Sequence, residues 1–414
     1  MLTTLFVIFL VASVMTQFWL ASRQIRHVSR HRHAVPDAFS ARISLTSHQR
    51  AADYTVARVR LTMLERAADA VILVALTLLG GLEAIQQLVG TVTQHEMFRQ
   101  LLLILAVSIL LGLLSLPFTV YRQFFLEERF GFNRMTPKLF ISDMCKGALV
   151  GALLGIPLVA AVLWIMAEAG SYWWIWAWGL WAGFNLLVLL IFPTWIAPLF
   201  NKFTPLDNPE LNSRIKALAS RCGFALNGLF VADGSKRSAH GNAYFTGFGR
   251  SRRIVFFDTL LSRLNGDEIE AVLAHELGHF KHKHIIKRLV LSFGGALLFF
   301  ALLGWLSGQA WFYTDLGVTP QLGVRNDAMA LILFFMVVPI FTFMLTPLFS
   351  WFSRRDEFEA DRFAASQSDA DKLVSALVKL LDDNAATLTP DPVHSAFYDS
   401  HPPAAIRIQH LQAA

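Results

Sequence analysis

The chain has 414 residues, 55% of them hydrophobic and 16% charged, against roughly 25% charged in an ordinary soluble domain. That balance points away from an ordinary soluble domain and makes a membrane protein the first hypothesis, which charge-free runs decide. The net charge of +6 does not add nucleic acid as a partner, because the basic residues gather in loops beside apolar runs, where positive-inside topology already accounts for them.

A helix crossing the hydrocarbon needs about 20 mostly apolar residues to satisfy its backbone internally. Met1 to Ser22, Leu101 to Tyr121, Gly147 to Ala167, Ala169 to Asn201, Leu289 to Thr314 and Ala328 to Ser353 contain no Asp, Glu, Lys or Arg, and each reads as a span. A seventh is expected from about Ala67 to Val89, as one helix that takes in Asp69 and Glu83. The first run lacks the basic n-region of a cleavable signal peptide and is expected to be retained. Residues 23–66 carry nine Arg against Asp37, Asp53 and Glu65, so positive-inside places them in the cytoplasm and the N-terminus outside. The stretch from Arg26 to His33 reads as part of that juxtamembrane loop. Cys145 and Cys222 are too few for a disulfide framework and are expected to be free packing thiols.

Seven crossings return residues 201–287 and 354–414 to the cytoplasmic side, joined by a two-span hairpin at 288–353; residues 1–200 form an N-terminal membrane domain with five spans. In the first soluble piece a helical pattern runs from Asn208 to Cys222. Short β-type runs follow at Gly228 to Ala232, Asn242 to Gly247 and Arg253 to Asp258, which form a small sheet. Asn265-Gly266-Asp267 then caps a helix that leads into His275.

That helix carries His275-Glu276-Leu277-Gly278-His279. Two His four apart share one helical face and can chelate one zinc ion, while Glu276 stands about 100° round, placed to act as general base on a water. A catalytic zinc takes three protein ligands, and Glu357-Phe358-Glu359-Ala360-Asp361 on the same side of the membrane offers the third. Glu357 and Asp361 are four apart, so one can ligate while the other holds a ligand His by its second ring nitrogen. Glu359 points away from that face. His282 and His284 form no i, i+4 pair with His279 and sit among Lys281 and Lys283; they are expected to be solvated or headgroup-facing.

These motifs resemble those of the type 1 CAAX prenyl proteases, integral-membrane zinc metalloproteases. The resemblance rests on Glu127-Glu128-Arg129-Phe130-Gly131-Phe132-Asn133, Ser238-Ala239-His240-Gly241-Asn242-Ala243-Tyr244-Phe245, the zinc motif, Ser353 to Asp361, and His401-Pro402-Pro403, and covers nearly the whole chain. It implies His275, His279 and Glu357 as zinc ligands, Glu276 as base, His401 as donor to the tetrahedral oxyanion, and Asn242 with Ala243 on an edge to which the peptide adds as a strand. Arg407 is close enough to His401 to assist at the substrate. The implied fold is an all-α membrane protein, seven spans around a hollow chamber, with a mostly helical zincin domain bearing a small sheet. Asp69 and Glu83, four turns apart and with Gln87 one turn on, would either line that chamber from one helix face or sit at headgroup depth on a short span.

The implied reaction is peptide hydrolysis near the C-terminus of a substrate, prenylated or not, beside membrane lipid. A prokaryotic owner would place the protein in an inner membrane and, lacking protein prenylation, would give it a quality-control role. Two rivals stand beside this: a heat-shock-type membrane protease, which has fewer spans, and a non-enzymatic channel or scaffold, which has no need of Glu276.

Overall fold

The structure, a computed structural model, describes residues 1–224, 226, 228–246, 253–320 and 325–413. The apolar runs fold as long helices, because in lipid a helix leaves no backbone group unpaired. In chain order these are α1 (Leu2–His31), α2 (Leu45–Leu76), α3 (Gly81–Val92), α4 (Glu96–Tyr121), α5 (Pro137–Glu168) and α6 (Trp173–Ile191). After the soluble piece come α9 (His284–Ser307) and α10 (Asp327–Thr342), the latter running on through a short 3-10 turn into α11 (Thr346–Gln367). Among the described residues six helices are long and apolar enough to cross a membrane, and the bent pair of α2 and α3, counted as one span, makes up to seven. Most present apolar side chains outward, as Leu149, Leu153 and Trp164 on α5 do. By contrast α10 is central, with Ala328 to Leu333 in the apolar core.

The second span differs from the single helix expected over Ala67 to Val89. The chain breaks after Leu76 and resumes at Gly81, with a 58° bend. Gly80 adopts φ +78°, a conformation open to glycine, and a Cβ on Gly81 would lie 2.7 Å from the Ala75 carbonyl oxygen. Asp69 and Glu83 therefore do not share a face. Asp69 lines a cavity of about 640 Å³ with Gln17, Glu65 and Arg66, whereas Glu83 accepts from the backbone N–H of Thr319 at 2.9 Å.

Two sets of polar contacts fix the ends of the bundle. At one end the Leu2 N–H and the Thr3 hydroxyl donate to Asp315, at 2.8 and 2.7 Å. At the other, Arg23 of α1 forks onto buried Asp391 at 3.1 and 3.0 Å, and Asp391 caps α13 (Pro392–Tyr398). The first helix is thus tied to the C-terminal segment.

The soluble piece comprises β1 (Phe203–Pro205), α7 (Pro209–Arg221), β2 (Gly228–Ala232), β3 (Ala243–Thr246), β4 (Arg253–Phe257) and α8 (Gly266–Lys281), completed by α12 (Ala370–Asp383) and α14 (Ala404–Gln412). The sheet order is β1-β2-β4-β3, with β2 and β4 parallel and the outer pairs antiparallel, so β3 is an edge. The loop after α4 docks on this piece. Phe132 stacks on His240 at 4.4 Å, Asn133 bridges to Ser238, and the Tyr54 hydroxyl of α2 donates to Glu127 at 2.6 Å. Two of the sequence blocks singled out above therefore meet. Cys222 is buried, as expected of a packing thiol, while Cys145 is exposed.

Candidate active site

The start of α8 is fixed by a reciprocal capping box: Asn265 accepts from the Glu268 N–H and Glu268 accepts from the Asn265 N–H. Buried Glu268 also takes bonds from Lys379 and Ser375 of α12, each at 2.8 Å. Ile269, Leu273 and Leu277 bury the apolar face in the soluble core. On the opposite side Gly278 lies so close to α11 that a Cβ there would sit 2.9 Å from the Ala360 Cα. That contact brings the end of α8 against the residues around Glu357.

His275 Nε2 and His279 Nε2 are 3.3 Å apart. The Glu357 carboxylate stands 3.4 Å from the first and 3.3 Å from the second. All three can offer a ligand atom within 4.8 Å of the other two. Asp361, one turn along α11, takes the second nitrogen of His275, with Nδ1 to carboxylate 2.8 Å. Arg407, grouped above with the substrate residues, is buried and forks onto Asp361 at 2.8 and 2.6 Å. Its guanidinium faces Asp361 and Glu357, supporting the site from behind.

Burial works against charge on His275, but the Asp361 carboxylate bonded to its Nδ1 and the Glu357 carboxylate 3.4 Å from its Nε2 outweigh it and hold its pKa up to about 9. A metal ion must therefore displace a proton to bind there. Arg407 is likewise buried, and Asp361 keeps its pKa raised and its charge in place.

Glu276 is half-buried beside His275, with its charge acting on Arg407. His401 comes in from the C-terminal segment, Nε2 3.4 Å from Glu357. It opens on a cavity of about 640 Å³ that also contains Arg66 and Gln17. Although 64% of its side chain is exposed, partial loss of hydration, with the Arg407 charge adding to it, lowers its pKa from the ordinary value against the pull of Glu357. Asn242 and Ala243 lie at the start of β3; Asn242 accepts from the Phe257 N–H at 2.9 Å and its side chain from the Ala243 N–H at 2.8 Å.

One expectation is overturned. His284 is neither solvated nor turned to the headgroups: its side chain is 1% exposed and its Nδ1 lies 2.9 Å from Nδ1 of His279. The i, i+4 spacing describes one continuing helix. Instead α8 stops, Lys283 takes a left-handed conformation with φ 57°, and α9 starts with His284 turned back on His279. His282 is 39% exposed, closer to the expectation. Glu359 does point away from the ligand face, and it pairs with His284 at 2.8 Å.

The donor set suits a cation. Two imidazole nitrogens and a carboxylate are an open three-ligand set. Moreover the Glu357 Oε2 is buried and makes no hydrogen bond among the described residues, with His275 at 3.4 Å and Arg407 at 3.7 Å, so it keeps acceptor capacity that a bound cation would use.

Residues 24–202 match the family described as "CAAX prenyl protease N-terminal, five membrane helices", and residues 205–414 match "Peptidase family M48". CAAX prenyl protease 1 of Saccharomyces cerevisiae is 38% identical over 341 residues, 78% of this chain and 73% of the yeast protein. This chain belongs to the CAAX prenyl protease type 1 family. The homologue of that name from Oryza sativa is 39% identical over 329 residues, 78% of this chain and 76% of its own length. The crystal structure of S. mikatae Ste24p superposes with a TM-score of 0.92 at 30% identity, covering 99% of this chain and 98% of that one. The protein is accordingly an integral-membrane metalloprotease acting on peptides or proteins. The match to the five-helix N-terminal family counts against the heat-shock type.

Proposed function

We propose that this family member is a zinc endopeptidase that cuts near the C-terminus of a lipidated substrate, with His275, His279 and Glu357 holding the ion. The observation that carries this is the buried Glu357 carboxylate facing two imidazole nitrogens at 3.3 and 3.4 Å, with its Oε2 making no hydrogen bond among the described residues. Zinc there would polarise the scissile carbonyl and acidify a water.

The chain's own residues supply the rest. Glu276 takes the proton from the attacking water and returns it to the leaving amine. In the neutral tautomer that accepts from Ser400 at Nδ1 (3.0 Å), His401 presents Nε2–H to the oxyanion. Asp361, backed by Arg407, keeps the His275 proton on Nδ1 and its Nε2 free. The outer edge of β3, last in the sheet order among the described residues, accepts the peptide as an added strand beside Asn242. The His401 cavity adjoins the Asp69 cavity through shared Gln17 and Arg66, giving a lipid-modified side chain room between the spans. With nine Arg in 23–66, the site faces the cytoplasm and the Asp315 end the opposite side.

The test uses purified protein in lipid vesicles and two peptides, one ending in a farnesylated cysteine plus three residues, the other unlipidated. Expected is release of the terminal tripeptide from the first, abolished by chelator and restored by zinc. Equal cleavage of both would remove the lipid part of the proposal; cleavage indifferent to chelator would remove the zinc.

A further inference from the structure

His284, Asp356 and Glu359 form a second group whose ligand atoms lie within 4.8 Å of one another. Taken alone, it is a candidate for another ion. The bonding around it leads elsewhere. His279 faces Glu357 and His275 with Nε2, at 3.3 Å each. A neutral imidazole that gives Nε2 to a metal carries its proton on Nδ1. That Nδ1 is 2.9 Å from Nδ1 of His284, so His279 donates and His284 accepts. An imidazole accepting at Nδ1 carries its own proton on Nε2, and His284 Nε2 lies 2.8 Å from the Glu359 carboxylate, which accepts it. Every proton along the line is then assigned, and His284 keeps no lone pair for a second ion. The third member, Asp356, is already held by Arg288 at 3.0 Å.

We propose that His284 and Glu359 are positioning residues for His279, a relay in which the Glu359 carboxylate acts through the His284 ring to fix the tautomer and orientation of the metal ligand. The inference rests on His279 being a zinc ligand. Two features show a built site. The His284 side chain is 1% exposed, and Lys283 is held in the left-handed region at φ 57°, a strained choice for a lysine, which turns His284 back toward α8. The two ligand imidazoles thus receive different support. His275 meets a carboxylate directly, whereas His279 meets one through an intervening ring, so weakening Glu359 has the smaller effect.

The experiment measures zinc affinity of the purified full chain by competition with a chromogenic chelator, alongside thermal unfolding of the metal-free protein. His284→Phe keeps volume and removes the acceptor; its zinc affinity is expected to fall about 10 to 100-fold. His284→Asn puts an amide oxygen where Nδ1 stood and is expected to recover most of that loss. Glu359→Ala should weaken binding by less than His284→Phe, and the double variant should be no weaker than His284→Phe alone, since the carboxylate acts only through the ring. Unchanged affinity in His284→Phe, or additive losses in the double variant, would overturn the relay. Two zinc ions per wild-type chain, falling to one with His284→Phe, would overturn it in favour of a second metal site. Should His284→Phe fail to fold, the His284→Asn and Glu359→Ala pair decides: undiminished affinity in Glu359→Ala rejects the relay. Undiminished affinity in His279→Ala would instead reject the ligand reading beneath it.

Discussion

Around α10 the buried side chains are apolar, Ala328 to Phe334 among them, and the outward faces of the neighbouring helices are apolar too; around Glu357 the buried residues include His275, His284, Asp361 and Arg407. The bundle has little contrast between inside and outside, so geometry there depends on a few polar bonds, such as Gln100 accepting from the Ala328 N–H at 2.9 Å. The catalytic segment depends on charges that are tolerable only while every partner is present. A single substitution should therefore matter far more in the second region than in the first.

The largest effect is expected at the carboxylates. Glu357→Ala removes the group that both ligand histidines face, and zinc affinity should fall by more than about 100-fold, whereas Asp361→Ala removes only the partner of His275 and should weaken it about 10 to 100-fold. Metal analysis of the purified variants ranks them, and retention of zinc by Glu357→Ala would show that another residue completes the set.

His401→Ala comes next. A donor whose benefit exists in the transition state should lower kcat by roughly 10² to 10³-fold with KM and zinc stoichiometry unchanged. Loss of zinc would make His401 a ligand.

Glu268 joins α8 to α12, and its variant acts on stability alone. Burial raises its pKa, but Lys379, the Asn265 N–H and Ser375 outweigh that and hold it below 4.5. The folded pKa is depressed, so the stabilisation is present above pH 4.5 and is lost as pH falls through the folded value. Glu268→Gln should cost about 2 kcal/mol at pH 7 and remove that acid-sensitive step from the unfolding profile. An identical acid profile in the variant would separate Glu268 from the effect.

The bundle should give the smallest numbers. Leu153, 70% exposed on α5, should tolerate Leu153→Ala within about 0.5 kcal/mol in detergent, while Gln100→Leu, which orphans a backbone N–H, should cost about 1 kcal/mol. Similar costs for the two would dissolve the contrast within the bundle.

Much of this fold is legible as charge-free runs of membrane-spanning length, and the site's first pair as two His one turn apart. Gly80-Gly81 is a breaker signal in the sequence, but a length rule that wants one continuous span passes over it. β1 was missed because three residues, Phe203–Pro205, are too few to show alternation. The Arg407–Asp361 fork and the His284 contact left no local signal. The first joins residues on separate helices, and the second depends on a lysine at a positive φ, where periodicity predicts that the helix continues.

The claim on which the rest depends is that Glu276 moves the proton while His275, His279 and Glu357 hold the ion. Metal content and single-turnover cleavage measured on one preparation of Glu276→Gln test it directly. One zinc per chain, an unchanged melting profile and a rate lower by about 10³-fold or more are expected. Cleavage at near wild-type rate, or loss of the metal along with the activity, would contradict it.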